Sequence, residues 1–171
     1  EDETEKRGLQ SKAWSFAAAF ADYDDDGDDD LLVANEWSRT AFYENQGSGV
    51  FVDKSVAFGL NDPGAGMGVI WADFNQDLRL DIYLSNMFSN AGSRIIPYAT
   101  LQDKTVKDAL HASTQGNSLY LNLGQGKFKQ VAQSYGVHEA GWAWGSSAFD
   151  YDKDGDLDLY VAANRLFDFK E

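Results

Sequence analysis

Three stretches of the chain share one polarity pattern: a small and apolar run, a dense acidic loop, then a run in which apolar and polar positions alternate. The apolar runs are SFAAAFA from Ser15, GMGVIWA from Gly66 and GWAWGSSAF from Gly141; the alternating runs are DLLVAN from Asp30, DIYLSN from Asp81 and DLYVAAN from Asp158. Both kinds read as strands, because a period of two places successive side chains on opposite faces of a sheet. A second unit follows the first two copies. AFYENQGSGVFVDKSVAFGL from Ala41 matches SLYLNLGQGKFKQVAQSYGV from Ser118 position for position. In each, a strand ending in Asn45 or Asn122 meets a Gly-rich turn, and Phe51 or Phe128 opens a fourth strand.

Four short strands in roughly 50 residues is the period of a propeller blade. The predicted fold class is therefore all-β: a β-propeller segment of about two and a half four-stranded blades behind a polar segment, residues 1–13. The blades are assigned to 14–60, to 65–137 and, as a half blade, to 142–171. The first aspartates of the acidic loops, Asp22, Asp73 and Asp150, lie 51 and 77 residues apart, and the extra length falls at 87–116 inside the second blade. That insertion contains one amphipathic stretch, DKTVKDALHA, with Val106, Ala109 and Leu110 on one face and Asp103 placed to cap it. It could cover a neighbouring blade or contact a partner. Closure needs roughly 4 to 8 blades. The chain is then either a segment of a longer propeller or a subunit that self-associates through the half blade, whose edge would otherwise be unpaired.

The acidic loops follow a nine-position pattern, D-x-D-x-D-G-x-x-D, in which positions 1, 3, 5 and 9 offer side-chain oxygen and position 7 a backbone carbonyl. The first copy supplies Asp22, Asp24, Asp26 and Asp30 with the carbonyl of Asp28; the third supplies Asp150, Asp152, Asp154 and Asp158 with that of Asp156. Neighbouring carboxylates 4 to 5 Å apart repel by about 1 kcal/mol per pair even in water, so such a loop calls for a cation. Hard oxygen donors at adaptable distances suit Ca²⁺, which takes about 6 to 8 of them, better than the strict octahedron of Mg²⁺. Gly27 and Gly155 at position 6 allow positive φ. Position 12 is Val33 or Val161 and the flanks are strand-like, so the loop is not an EF-hand, which needs a Glu there. The second copy offers Asp73, Asn75, Asp77 and Asp81 with the carbonyl of Arg79, and Leu78 stands where the others have glycine. A left-handed leucine costs about 1 to 2 kcal/mol, which makes this the weakest of up to three calcium sites.

Composition narrows the partners. The 171 residues are 43% apolar and carry a formal charge of −14, so the chain can bury a core but suits neither nucleic acid nor an anionic membrane. Cysteine is absent and His111 and His138 are isolated, which leaves no basis for a zinc centre. No run of 18 apolar residues is available to span a membrane, no N-x-S/T sequon occurs, and the chain opens on a polar segment as a processed or excised piece would.

The quoted loops resemble the FG-GAP or VCBS repeats of integrin-α-type propellers. GMGVIWADFNQDLRLDIYLSNMFSNAGSRI, NSLYLNLGQGKF and GWAWGSSAFDYDKDGDLDLYVAAN resemble more closely the bacterial VCBS propellers related to cartilage acidic proteins, which an ASPIC/UnbV module, not found in these residues, often follows. The resemblance implies an extracellular or surface-exposed propeller with calcium in the loop joining the first two strands of a blade. It implies adhesion, surface assembly or protein interaction, with a protein or glycan ligand. The alternative is a carbohydrate-binding or polysaccharide-processing propeller in which calcium is only supportive. With neither a G-x-S-x-G elbow nor a P-loop, and with its carboxylates accounted for by metal loops, the chain is not expected to be an enzyme. Trp14, Trp71, Trp142 and Trp144, in or beside the strands before the loops, are expected to pack between blades rather than stack on sugar.

Overall fold

β1 (Trp14–Ala21), β2 (Asp30–Glu36), β3 (Ala41–Asn45) and β4 (Phe51–Asp53) form one antiparallel meander in sequence order. β5 (Gly66–Ala72), β6 (Asp81–Asn86), β7 (Ser118–Asn122) and β8 (Phe128–Gln130) form a second, and β9 (Trp142–Phe149) pairs with β10 (Asp158–Asn164) in a third, two-stranded sheet. This computed structural model describes residues 1–36, 38–60, 62–88, 90–100 and 103–164. Residues 165–171 of the expected half blade, and 89, 101 and 102 of the expected insertion, lie outside the described residues. The architecture is that of partial propeller blades, with no closed barrel among the described residues.

Period-two patterning explains how the sheets stack. In β6, Ile82 and Leu84 join Leu32, Ala34 and Phe42 between the first and second sheets, while Tyr83 joins Leu119 and Val131 toward the third. β2 divides likewise: Leu32 and Ala34 face the second blade, and Leu31 and Val33 face a cluster closed by Leu9 of the N-terminal segment. Central strands with two apolar faces read as nearly continuous hydrophobic runs, as β6 does. The same irregularity recurs in each blade: the register shifts between Ser15 and Ala17, between Gly66 and Gly68, and opposite Ala162/Ala163, so that Phe16, Met67 and Trp144 occupy equivalent bulge positions. Gly68 sits so close to the third sheet that a Cβ there would lie 3.2 Å from the Cα of Gly145.

Two of the tryptophans, Trp14 and Trp144, depart from expectation. Trp71 packs between the first two sheets, 6.1 Å from the Phe42 ring, whereas Trp14 and Trp144 are exposed. Phe16, Ala18 and Phe20 also lie open, while alternate residues of β1 turn toward the second blade. The insertion folds as α1 (Asn90–Ile95), a 3₁₀ turn (Ile96–Tyr98) and α2 (Lys104–Ala112). Asp103 caps α2 by accepting from the Thr105 and Val106 amides at 2.8 and 3.3 Å. Val106 and Leu110 remain exposed, so the apolar stripe of α2 is not covered by a blade.

Candidate metal centre

Each acidic loop joins the first two strands of its blade, and its own backbone folds onto its carboxylates. At position 1, Asp22 accepts from the amides of Asp26 (3.0 Å) and Gly27 (2.9 Å), Asp73 from those of Asp77 (3.0 Å) and Leu78 (2.8 Å), and Asp150 from that of Gly155 (3.1 Å). At position 5, Asp26, Asp77 and Asp154 accept from the amides of Asp28, Arg79 and Asp156 at 2.9 to 3.0 Å. At position 9, Asp30, Asp81 and Asp158 accept from the amides of Tyr23, Phe74 and Tyr151. Position 9 therefore draws the start of the second strand back onto the start of the loop. Position 6 is left-handed, as expected, at Gly27 (φ 92°), Gly155 (φ 95°) and Leu78 (φ 67°). Position 4 is also left-handed at Asp25, Gln76 and Lys153, a feature the sequence does not announce because no glycine marks it.

The loops differ in what they gather. Carboxylate oxygens of Asp22, Asp24 and Asp30 lie within 4.8 Å of one another, and so do those of Asp150, Asp152 and Asp158. Position 5 stands apart from both triads, its carboxylate turned to the position 7 amide. Among the described residues, Asp73, Asp77 and Asp81 form no such triad. Instead Asp77 pairs with the Arg79 guanidinium, whose Nε also donates to the Asn122 carbonyl at 2.8 Å, and accepts from Asn75 Nδ2 at 3.0 Å. Arg79, expected to offer only its carbonyl, brings a competing positive charge. The carbonyls of Asp28, Arg79 and Asp156 are assigned to a metal shell by the loop pattern alone.

Charge in the loops is uncompensated where no arginine intervenes. Burial, opposed by the Asn45 and Tyr23 amides and reinforced by Asp24 and Asp26, pushes the Asp30 carboxyl up to about 6. Burial also raises Asp24, helped by the charges of Asp26 and Asp22, and burial raises Asp81. In the third loop the charge of Asp154 raises Asp156. Three carboxylates per triad, without imidazole or thiolate, form a hard donor set that fits Ca²⁺ and does not fit zinc.

Two residues outside the loops complete the arrangement. The Asn45 and Asn122 amides donate to Asp30 and Asp81 at 2.8 Å, and their side chains donate to the carbonyls of Asp29 and Leu80 at 3.2 Å. Their equivalence in the hairpin units is the signal that points to them. Asn122 also reaches the Tyr23 carbonyl of the first blade (3.2 Å), and Gln76 reaches the Gly155 carbonyl of the third (3.1 Å), so neighbouring loops are tied together across blades.

Consecutive four-stranded meanders with an acidic loop between their first two strands define a repeat module of propeller type. Residues 6–84 and 107–161 match the model of the FG-GAP-like repeat, and the chain belongs to that family. It is similar to cartilage acidic protein 1 of Mus musculus, 29% identical over 147 residues that make up 81% of this chain and 19% of that protein. The Homo sapiens protein of that name is 40% identical over 58 residues, 33% of this chain and 9% of its own length; the Xenopus tropicalis protein is 26% identical over 147 residues, 81% and 19% respectively. The chain spans about a fifth of the length of the first of these relatives. Among the described residues no helix is long and apolar enough to cross a membrane.

Proposed function

We propose that the chain is a non-enzymatic, calcium-stapled propeller module that serves adhesion, surface assembly or protein interaction outside the cell. The observation that carries this reading is the pair of aspartate triads, one in the first blade and one in the third, each built from positions 1, 3 and 9 of the same repeat. Asp22, Asp24 and Asp30 would hold one ion and Asp150, Asp152 and Asp158 another. Bound Ca²⁺ would supply positive charge and oxygen coordination that link the loop to the start of the second strand. The residues do the rest: Asp22 and Asp150 organise the loop backbone, and Asp30 fixes the loop to the hairpin through Asn45.

Several observations support the extracellular placement. Membership of the FG-GAP-like family and relatives named as acidic proteins of cartilage agree with it. Extracellular calcium modules also work at about 10⁻⁴ to 10⁻³ M, where modestly charged loops suffice. The partner is a protein or glycan at the surface. Calorimetric titration of the intact protein with calcium, and melting with and without excess chelator, test the reading. Binding of two ions and a melting temperature lowered by about 5 °C or more in chelator are expected, corresponding to at least about 1 kcal/mol. An unchanged melt together with no heat of calcium binding would refute it.

A further inference from the structure

At the end of the blades opposite the acidic loops, the repeat builds the same pocket twice. The residues lining the two pockets correspond pair by pair at the repeat spacings: Ser11 with Asp62, Thr40 with Asn117, Tyr43 with Tyr120, Asp53 with Gln130, and Val56 with Gln133. The first pocket is an open groove of about 610 Å³ whose wall includes Lys12 and Arg39. The second is a cavity of about 270 Å³ where those two positions hold Pro63 and Gly116. Ala112, from the end of α2, also lines it, and Gln115 stands where the first pocket has Ser38.

We propose that this second cavity binds one ring of a neutral sugar. Its floor is Asp62, 2% exposed, which accepts from the Gly64 amide at 2.6 Å and from Asn86 Nδ2 at 3.3 Å and has no basic side chain among its partners. Around it stand Asn117, Ser118, Gln115, Gln130 and Gln133, side chains that both donate and accept. A sugar hydroxyl needs that pairing of donor and acceptor at each oxygen. One buried nitrogen of the lining closes no hydrogen bond, the Nδ1 of His138, while Asn117, 1% exposed, accepts from the Asn86 amide through Oδ1 and turns its side-chain amide to the Tyr83 hydroxyl. Buried polar atoms left unpaired cost free energy and mark a place where water or a ligand supplies the missing contacts.

The walls select against other chemistries. With no lysine or arginine among the described lining residues, an anionic sugar would meet the Asp62 carboxylate with only the His138 imidazole beside it. A cation would find one carboxylate whose oxygens already accept from neighbours. The volume falls just below the roughly 300 to 1,000 Å³ of small-molecule pockets, which matches a single ring. The two pockets differ at equivalent positions as well: Ser38 of the first is replaced by Gln115 in the second, and Ala112, the last residue of α2, joins the second lining only.

The sugar site does not depend on the calcium reading, and it is tested at saturating calcium with the intact protein. Saturation-transfer NMR is recorded with D-galactose, D-mannose, N-acetyl-D-glucosamine and D-glucuronate. At least one neutral sugar is expected to receive saturation and glucuronate none. Exchanging Gln130→Ala and Gln133→Ala together, both exposed residues, is expected to weaken that binding about tenfold, or about 1.4 kcal/mol, with only a small fall in melting temperature, from the loss of the Gln130 acceptor for the Ala132 amide. No transfer to any neutral sugar, as for a cavity that holds water only, would overturn the proposal. So would equal binding of glucuronate, or full binding by the double variant.

Discussion

The first and second acidic loops have almost the same backbone and different electrostatics. In both, the position 1 carboxylate gathers two amides, position 9 is buried against the following hairpin, and position 6 is left-handed. Yet the first leaves Asp22, Asp24 and Asp30 facing one another, whereas the second uses Asn75 for one carboxylate and neutralises Asp77 with Arg79. The two loops therefore share one framework of amide-to-carboxylate hydrogen bonds. What differs is the gathering of carboxylates, which follows positions 3 and 7: Asp24 and Asp28 in the first loop, Asn75 and Arg79 in the second. One repeat keeps its backbone and loses its carboxylate triad to an internal ion pair.

The largest expected effect separates these two properties. Asp30, 2% exposed, and Asp81, 0% exposed, each satisfy amides from both the loop and the hairpin. Asp30→Ala and Asp81→Ala should each cost about 2 to 4 kcal/mol in chelator, because buried amides lose their acceptor. In calcium, Asp30→Ala should cost more than in chelator, since the first ion is lost as well; Asp81→Ala should cost the same in both. Denaturant midpoints measured in the two buffers decide it. If both variants respond equally to calcium, the second loop holds an ion despite Arg79.

A smaller effect is expected from freeing the second loop. Arg79→Ala removes the guanidinium from Asp77 and its bond to the Asn122 carbonyl. Stability in chelator should fall by no more than about 1 kcal/mol, as for a partly exposed ion pair. Calcium stoichiometry by titration should rise by one. A stoichiometry that stays unchanged would mean that Asn75, and not the arginine, is what disables the loop.

Much of this contrast is legible in the amino-acid sequence. The three-fold phasing of Asp22, Asp73 and Asp150 encodes blade period and loop position, because a repeat must present the same ligands at the same sheet edge. Leu78 announces the odd copy. What the sequence hides is long-range or conformational. Arg79 reads as a backbone donor only, because a side chain's reach to Asp77 and to the β7 carbonyl of Asn122 depends on the hairpin packing beside it. Left-handed geometry at Asp25, Gln76 and Lys153 carries no glycine signal. Strand patterning alone assigns Trp14 and Trp144 to packing between blades, whereas a bulge and an outward face place them in the open. Asp62 gives no signal either, since a lone acid before proline reads as a turn, and only the end of β6, distant in sequence, buries it against Asn86.

The smallest expected effect concerns the glycine itself. At Gly27 a Cβ would meet nothing within 4 Å, so the requirement there is conformational and not steric. Leu78 holds the equivalent place at φ 67° with 89% of its surface exposed, so it gains little from packing that would offset the strain. Relief of left-handed strain favours Leu78→Gly by about 1 to 2 kcal/mol, and the freer unfolded chain returns about 0.5 to 1 of it. A net gain of roughly 0.5 to 1 kcal/mol is expected in urea with chelator present, and Gly27→Leu should lose a similar amount. Mirror-image changes would show that the two loops share one backbone energy, whatever they bind. If Leu78→Gly destabilises, the leucine makes a contact in solution that its exposure here does not reveal, and the equivalence of the two loops fails at that position.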